Sequence, residues 1–204
     1  MLRLAAGRAQ PTSGTVALDG EPLERPRAGT ALILQDFGLL PWKTVLANAA
    51  LGLQVHKVAR AERIERARAA LACVGLQDFE DSYPAELSGG MQQRLALARA
   101  LAMDIDLLLM DEPLSALDAL LREELQDVLL EQWLASGYTQ VLVTHSIEEA
   151  VYLGRRIVVM APRPGRVVTI VDNPQAGTPG YRSDERFFER CRDVRSALKA
   201  GGEL

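Results

Sequence analysis

What the sequence lacks narrows its class. No apolar run approaches the roughly 18 residues that a membrane-spanning helix needs. The opening segment, MLRLAAGRAQ, is too short and too interrupted to read as a secretory signal. There are two cysteines, Cys73 and Cys191, far apart and in no C-x-x-C pattern, which fits a reduced compartment and incidental thiols. There is no excess of positive charge: the net charge is −4, which argues against a dedicated nucleic-acid partner. Internal repeats and low-complexity tracts are absent. With 48% hydrophobic and 25% charged residues, the composition is that of an ordinary folded protein, and 204 residues can bury one sizeable core.

What is present alternates in period. Residues 1–10 read as the tail of a helix with Gly7 as its stop. Pro11–Gly14 is a turn, and Thr15–Leu18 followed by Asp19-Gly20 signals a hairpin. Thr30–Leu34 is a short apolar strand ending at Gln35. The next stretch, Phe37-Gly38-Leu39-Leu40-Pro41-Trp42, is an apolar loop with two readings: a plug of the core, or a docking surface. Helices are expected over Thr44–Leu53 and Arg60–Val74, the second with Gly75 just past its end. Its mixed charges form a solvated face.

Further on come a helix from about Gly89 to Ala102, a strand over Asp106–Met110 and a long helix from about Ala116 to Ala135. A strand over Gln140–Thr144 leads into a helix over Ser146–Leu153, with Ser146 and Glu149 spaced as a capping box. Strands over Arg156–Met160 and Arg166–Val171 flank the Pro162–Gly165 turn, and a last amphipathic helix runs from Ser183 to Leu198. Strands alternating with helices imply an α/β fold with a mostly parallel sheet and helices on both faces. The helix-rich residues 44–100 are the candidate subdomain.

Two stretches carry chemistry. In Asp106-Leu107-Leu108-Leu109-Met110-Asp111-Glu112-Pro113, a buried apolar strand ends in two acids. Side chains alternate along a strand, so one carboxylate can face a metal while the other faces a water. Nucleotide hydrolysis needs both: a hard cation held by oxygen, and a group that orients the attacking water. Acids also cap strand ends with no further role, and the apolar run before this pair and Pro113 after it argue against that reading. In Leu87-Ser88-Gly89-Gly90-Met91-Gln92-Gln93-Arg94, Ser88 can cap a helix and the two glycines let backbone N–H groups approach an anion.

LSGGMQQR resembles the signature motif of ABC-type ATPases, LLLMDEP resembles their Walker B strand, and Ser115-Ala116-Leu117-Asp118 their D-loop. Val143-Thr144-His145-Ser146 is similar to the switch-histidine segment and Leu34-Gln35-Asp36 to the Q-loop. The ordered set covers essentially the whole chain. The resemblance implies a P-loop NTPase-like, RecA-like cassette with an inserted helical subdomain, ATP and Mg²⁺ as ligands, and head-to-tail pairing with a second ATPase subunit.

By position, Asp111 would bind Mg²⁺ through water, Glu112 would serve as general base or orient the water, and His145 would contact the γ-phosphate. Gln35 would reach the metal and couple the site to a membrane partner. Ser88, Gly89, Gly90 and Gln92 fall in the segment that binds the nucleotide held by the other subunit, and Asp118 would act across the same interface. DFGLLPWKTVLANAALGL, VVMAPRPGRVV and RSDERFFERCRDVRSAL are similar to the ATPases of nitrate, sulfonate and taurine importers. That implies permease subunits docked near Gln35–Trp42, a substrate-binding protein acting indirectly, and residence at the cytoplasmic face of the membrane.

One family element is not found in the sequence. The phosphate loop, G-x-x-x-x-G-K-S/T, holds the β- and γ-phosphates. Of the three lysines, Lys43, Lys57 and Lys199, only Lys43 precedes a hydroxyl residue, and Trp42 stands where glycine is required. Met1–Gly7 resembles the segment after the missing lysine, so the chain is expected to begin inside the helix that follows the loop. A start set too late, or a truncated gene, is one explanation. A degenerate subunit that docks a permease without turnover is the other. Taken alone, the 204 residues are expected to hydrolyse ATP poorly. An ABC ATPase of DNA repair is a more distant reading, disfavoured because residues 44–87 leave no room for a long coiled-coil insertion.

Overall fold

A computed structural model describes residues 1–162 and 164–202. Its centre is a three-stranded parallel sheet in the order β3-β4-β5, formed by Thr30–Ile33, Leu107–Asp111 and Thr139–Val143. Ile33 pairs with Met110, and Asp111 with Val143, so the three strands end at nearly the same level.

β4 is apolar throughout because both of its faces are covered. Leu108 and Met110 enter a large core with the helices that follow β3 and β4. Leu107 and Leu109 enter a smaller one with Leu2 and Ala6 beside α1 (Leu2–Ala5). The expected hairpin near residue 20 is formed by β1 (Ala17–Leu18) and β2 (Glu21–Pro22), turned by Asp19 at φ 53° and Gly20 at φ 84°. Two positive φ values in the loop are what a tight hairpin requires. Gly7 closes α1 at φ 67°, where a Cβ would lie 2.6 Å from the Arg25 carbonyl carbon.

Between β3 and β4 the chain is helical: α2 (Val45–Ala49), α3 (Leu51–Val55), α4 (Arg60–Cys73) and α5 (Gly89–Leu101). The single helix expected over 44–53 is two, parted at Ala50 (φ −78°, ψ −5°). α2, α4 and α5 pack on one another around Val45, Ala49, Ala67, Leu71 and Leu95, all 0% exposed.

α6 (Ala119–Ser136) starts three residues later than its sequence pattern suggests. Residues 115–117 form a turn, and the Asp118 carboxylate accepts the Leu121 N–H at 3.1 Å as the helix cap. After β5 come α7 (Ile147–Leu153), β6 (Arg156–Ala161), β7 (Arg166–Asp172) and α8 (Glu185–Gly201). β6 and β7 pair antiparallel as a separate ribbon, outside the parallel sheet. α8 packs on that ribbon and on α7, burying Phe187, Cys191 and Val194.

The loop after Gln35 divides between the two readings the sequence allows. Phe37 and Leu39 pack against the main core, while Trp42 is 71% exposed. The loop is held from two sides. Arg99 on α5 donates to the carbonyls of Phe37 and Gly38, both at 2.6 Å. Asn48, fully buried on α2, accepts the Leu40 N–H and donates to the carbonyls of Leu40, Lys43 and Thr44.

Candidate functional site

The C-terminal ends of parallel strands are where α/β sheets gather their chemistry. Here the ends of β3, β4 and β5 carry Gln35, Asp111-Glu112 and Thr144-His145. Asp111 is the last, half-buried residue of β4.

Glu112 then leaves the strand at φ 49°, in the left-handed region that residues other than glycine seldom enter. Its N–H donates to the Val143 carbonyl at 2.9 Å. Its carboxylate meets the imidazole of His145, Oε1 to Nε2 at 3.0 Å. The partners differ in setting: the Glu112 side chain is 24% exposed and that of His145 88%. Strand alternation alone predicts that the two adjacent acids diverge. The left-handed turn at Glu112 adds to the divergence and directs the carboxylate toward β5.

Behind this pair lies a cleft of about 190 Å³, lined among others by Arg122, Thr144 and Glu149. The Thr144 hydroxyl donates to Glu149 Oε2 and accepts the Ser146 N–H at 3.0 Å. The capping box expected at Ser146 is therefore half formed. Ser146 Oγ accepts the Glu149 N–H at 3.2 Å, but the Glu149 carboxylate turns to Thr144, because Thr144 already takes the Ser146 N–H that it would otherwise bind.

Glu149 is 4% exposed, and its other oxygen has no partner within hydrogen-bonding geometry among the described residues. Burial raises its pKa above the ordinary glutamate value. The Thr144 hydroxyl and the Arg122 charge pull the other way without overcoming it. Arg122 itself donates to the Leu114 and Leu117 carbonyls, at 3.3 and 2.6 Å, and so braces the turn before α6. Thr144, Glu149 and Arg122 were not among the site residues expected from sequence. For Glu149 a signal existed, since it shares a buried helical stripe with Leu153 four residues on.

The Ser-Gly-Gly turn does not line that cleft. Ser88 caps α5, accepting the Met91 N–H at 3.3 Å. A Cβ on Gly89 would meet nothing within 4 Å, so its backbone is open to solvent. A Cβ on Gly90 would come 3.0 Å from Leu117 Cδ2, so this glycine allows the turn to pack on the segment leading to Asp118. Asp118 is exposed and caps α6. The Gln92 amide nitrogen donates to the carbonyls of Pro84 and Leu87, at 2.9 and 3.3 Å, and braces the loop that precedes α5. Gln35 is exposed at the end of β3.

Among the described residues, no three His, Cys, Asp or Glu side chains converge as a metal cage. One carboxylate at the end of β4 and one exposed amide after the neighbouring β3 still suit Mg²⁺. That ion keeps several waters and completes its shell with substrate phosphates.

A profile of the ABC transporter family matches residues 1–115. An uncharacterized ABC transporter ATP-binding protein of Methanocaldococcus jannaschii is 45% identical over 199 residues, 98% of this chain and 74% of that protein. A taurine import ATP-binding protein of Rhizobium johnstonii is 48% identical over 211 residues, 100% of this chain and 80% of that one. The dimeric structure of an ATP-binding cassette in a post-hydrolysis state, bound to ADP and Pi, superposes with a TM-score of 0.75 at 31% identity, covering 84% of this chain and 78% of that one. The chain belongs to the ABC transporter family and is an ATP-binding cassette, the ATPase component of that family.

Proposed function

We propose that this cassette is the ATP-hydrolysing subunit of an importer for small anions of the nitrate, sulfonate or taurine class. For the substrate, the reading is carried by the 48% identity to a taurine import ATP-binding protein across the whole chain. It is supported within the site by the Glu112–His145 pair, 3.0 Å apart at the C-terminal edge of the sheet.

Glu112 orients the attacking water and His145 contacts the γ-phosphate. Asp111 and Gln35 hold Mg²⁺, which supplies charge neutralisation on the phosphates. Ser88, Gly89 and Gly90 contact a nucleotide held by a second copy or a paired ATPase subunit, with Asp118 on the same interface. A post-hydrolysis dimer among the structural neighbours supports that pairing.

Residues 1–204 are read as part of one cassette, with 44–100 as its helical subdomain and 183–198 as its C-terminal helix. In this reading the exposed Trp42 and the clamped loop behind it face transmembrane permease subunits, with the cassette at the cytoplasmic face of the membrane. A substrate-binding protein acts through those permeases. No helix among the described residues is long and apolar enough to cross a bilayer, so membrane attachment in this reading comes through the permease.

Deleting the gene and growing the source organism with nitrate as sole nitrogen source, or with taurine or another sulfonate as sole sulfur source, tests the substrate class. Loss of uptake of one of these anions, restored by the wild-type gene and not by Glu112→Gln, is the expected result. Unimpaired uptake of all of them would overturn the reading.

A further inference from the structure

Gln93 is a polar residue on the apolar stripe of α5, in line with Ala96, Leu97 and Ala100. It is 1% exposed, and both ends of its amide are used. Nε2 donates to the Glu112 carbonyl at 3.0 Å, and Oε1 accepts the Ala116 N–H at 3.2 Å. A buried glutamine satisfied by backbone is ordinary in itself. What sets this one apart is its target. It grips the residue whose φ of 49° lies in the left-handed region, and the turn that leads on to Asp118. The Glu112 carbonyl also accepts the Ser115 hydroxyl at 3.0 Å, so two side chains converge on one peptide.

A left-handed conformation at a residue other than glycine persists only where its surroundings over-determine it. Glu112 is restrained by its own N–H on Val143, by the Ser115 N–H and hydroxyl on its carbonyl, and by the Gln93 amide. Of these, only Gln93 comes from the helix that opens at Ser88–Gly90. Gly90, three residues before it, packs on Leu117 of the same turn.

We propose that Gln93 is a positioning residue. It holds Glu112 in its left-handed conformation and joins Glu112 and the 115–118 turn to the Ser88–Gly90 helix as one rigid unit. A displacement of the Ser-Gly-Gly turn is then transmitted to Glu112 through a single amide. The functional sense of this link rests on the role given to Glu112 above. Its test reads backbone conformation in the chain without nucleotide, so it fails or succeeds separately from that role.

The test uses the isotopically labelled 204-residue chain. In the wild type, the side-chain NH₂ protons of Gln93 should exchange much more slowly than those of exposed glutamines. Exchange as fast as in a free side chain would overturn the proposal without any variant having to fold. Gln93→Met keeps the volume and removes both hydrogen bonds. The Ala116 amide should then exchange about tenfold faster, the factor that corresponds to losing one net hydrogen bond. The Glu112 carbon shifts should leave their left-handed values.

Gln93→Glu, studied at a pH high enough to ionise the new carboxyl, keeps an acceptor for Ala116 and removes the donor facing Glu112. It should leave Ala116 protected while still moving the Glu112 shifts. A role confined to core packing would leave Glu112 unmoved in both variants, and that outcome would overturn the proposal.

Discussion

β4 and β5 are neighbours in one sheet, and each is an apolar run followed by chemistry-bearing residues, yet they are built differently. Leu107 through Met110 on β4 are at most 4% exposed, covered by a core on each face. On β5, Val141 and Val143 are each 37% exposed, and β4 is the one described strand that β5 pairs with. The site inherits the difference. Glu112 is fixed by a backbone bond to Val143 and by two side chains, Gln93 and Ser115. His145 stands 88% exposed, and its orientation depends on the short chain of contacts through Thr144 to Glu149. The acid side of the site is pre-organised, and the histidine side hangs on a few polar contacts. Positioned catalytic groups owe their precision to such supporting contacts.

The largest effect that separates the two strands is in the core. Leu108→Ala should cost about 2–5 kcal/mol, as buried leucine truncations do. Val141→Ala, at the half-open strand, should cost about 1 kcal/mol or less. Urea denaturation of both variants checks this, and equal costs would erase the contrast. Next in size is Thr144→Val, which removes the hydroxyl between Glu149 and the Ser146 N–H. Leaving those buried groups unpaired should cost about 1–3 kcal/mol. A neutral result would mean that the histidine segment is held by something other than Thr144.

A subtler test is the pH dependence of Glu149. Burial raises its folded pKa above the unfolded value, so the native state holds this proton more tightly than the unfolded chain does. The stability it contributes is fully present below the unfolded glutamate value. It is lost as pH rises through the raised folded one. Glu149→Gln removes the ionisation and should flatten that part of the stability–pH curve. Thermal melts of wild type and variant across the acidic-to-neutral range would show the two curves diverging as pH rises, and parallel curves would contradict a buried carboxyl whose pKa is raised. Smallest of all is Trp42→Ala. With the ring 71% exposed, it should change stability by about 0.5 kcal/mol or less. A larger loss would place Trp42 in the core and remove its case as a docking residue.

Much of the frame was legible because it depends on local pattern. The apolar run before Asp111, the glycines after Ser88 and the Asp19-Gly20 turn each follow from neighbours in sequence. What was not legible depends on partners far along the chain. The Phe37–Trp42 loop is apolar throughout, and only Asn48 and Arg99 decide which of its side chains face inward. Two strands near the C-terminus show the same pattern whether they join the parallel sheet or pair apart from it. The left-handed φ of Glu112 has no sequence mark, since no glycine stands there. Gln93 did leave a trace as the one amide on an otherwise apolar helical stripe, but its targets lie 19 and 23 residues away. Gln92, beside it in the signature motif, donates to the loop before α5, also through partners its sequence position does not mark.

The most direct test of the central claim, that the Glu112–His145 pair forms the hydrolytic side of an ATP-binding cassette, is steady-state Mg-ATP turnover. It compares wild type with Glu112→Gln, each supplied with an added phosphate loop. With Glu112 orienting the attacking water as proposed, its loss should lower turnover by about 100-fold or more. The variant should still bind ATP and accumulate as an ATP-bound dimer. Undiminished hydrolysis by Glu112→Gln would contradict the account.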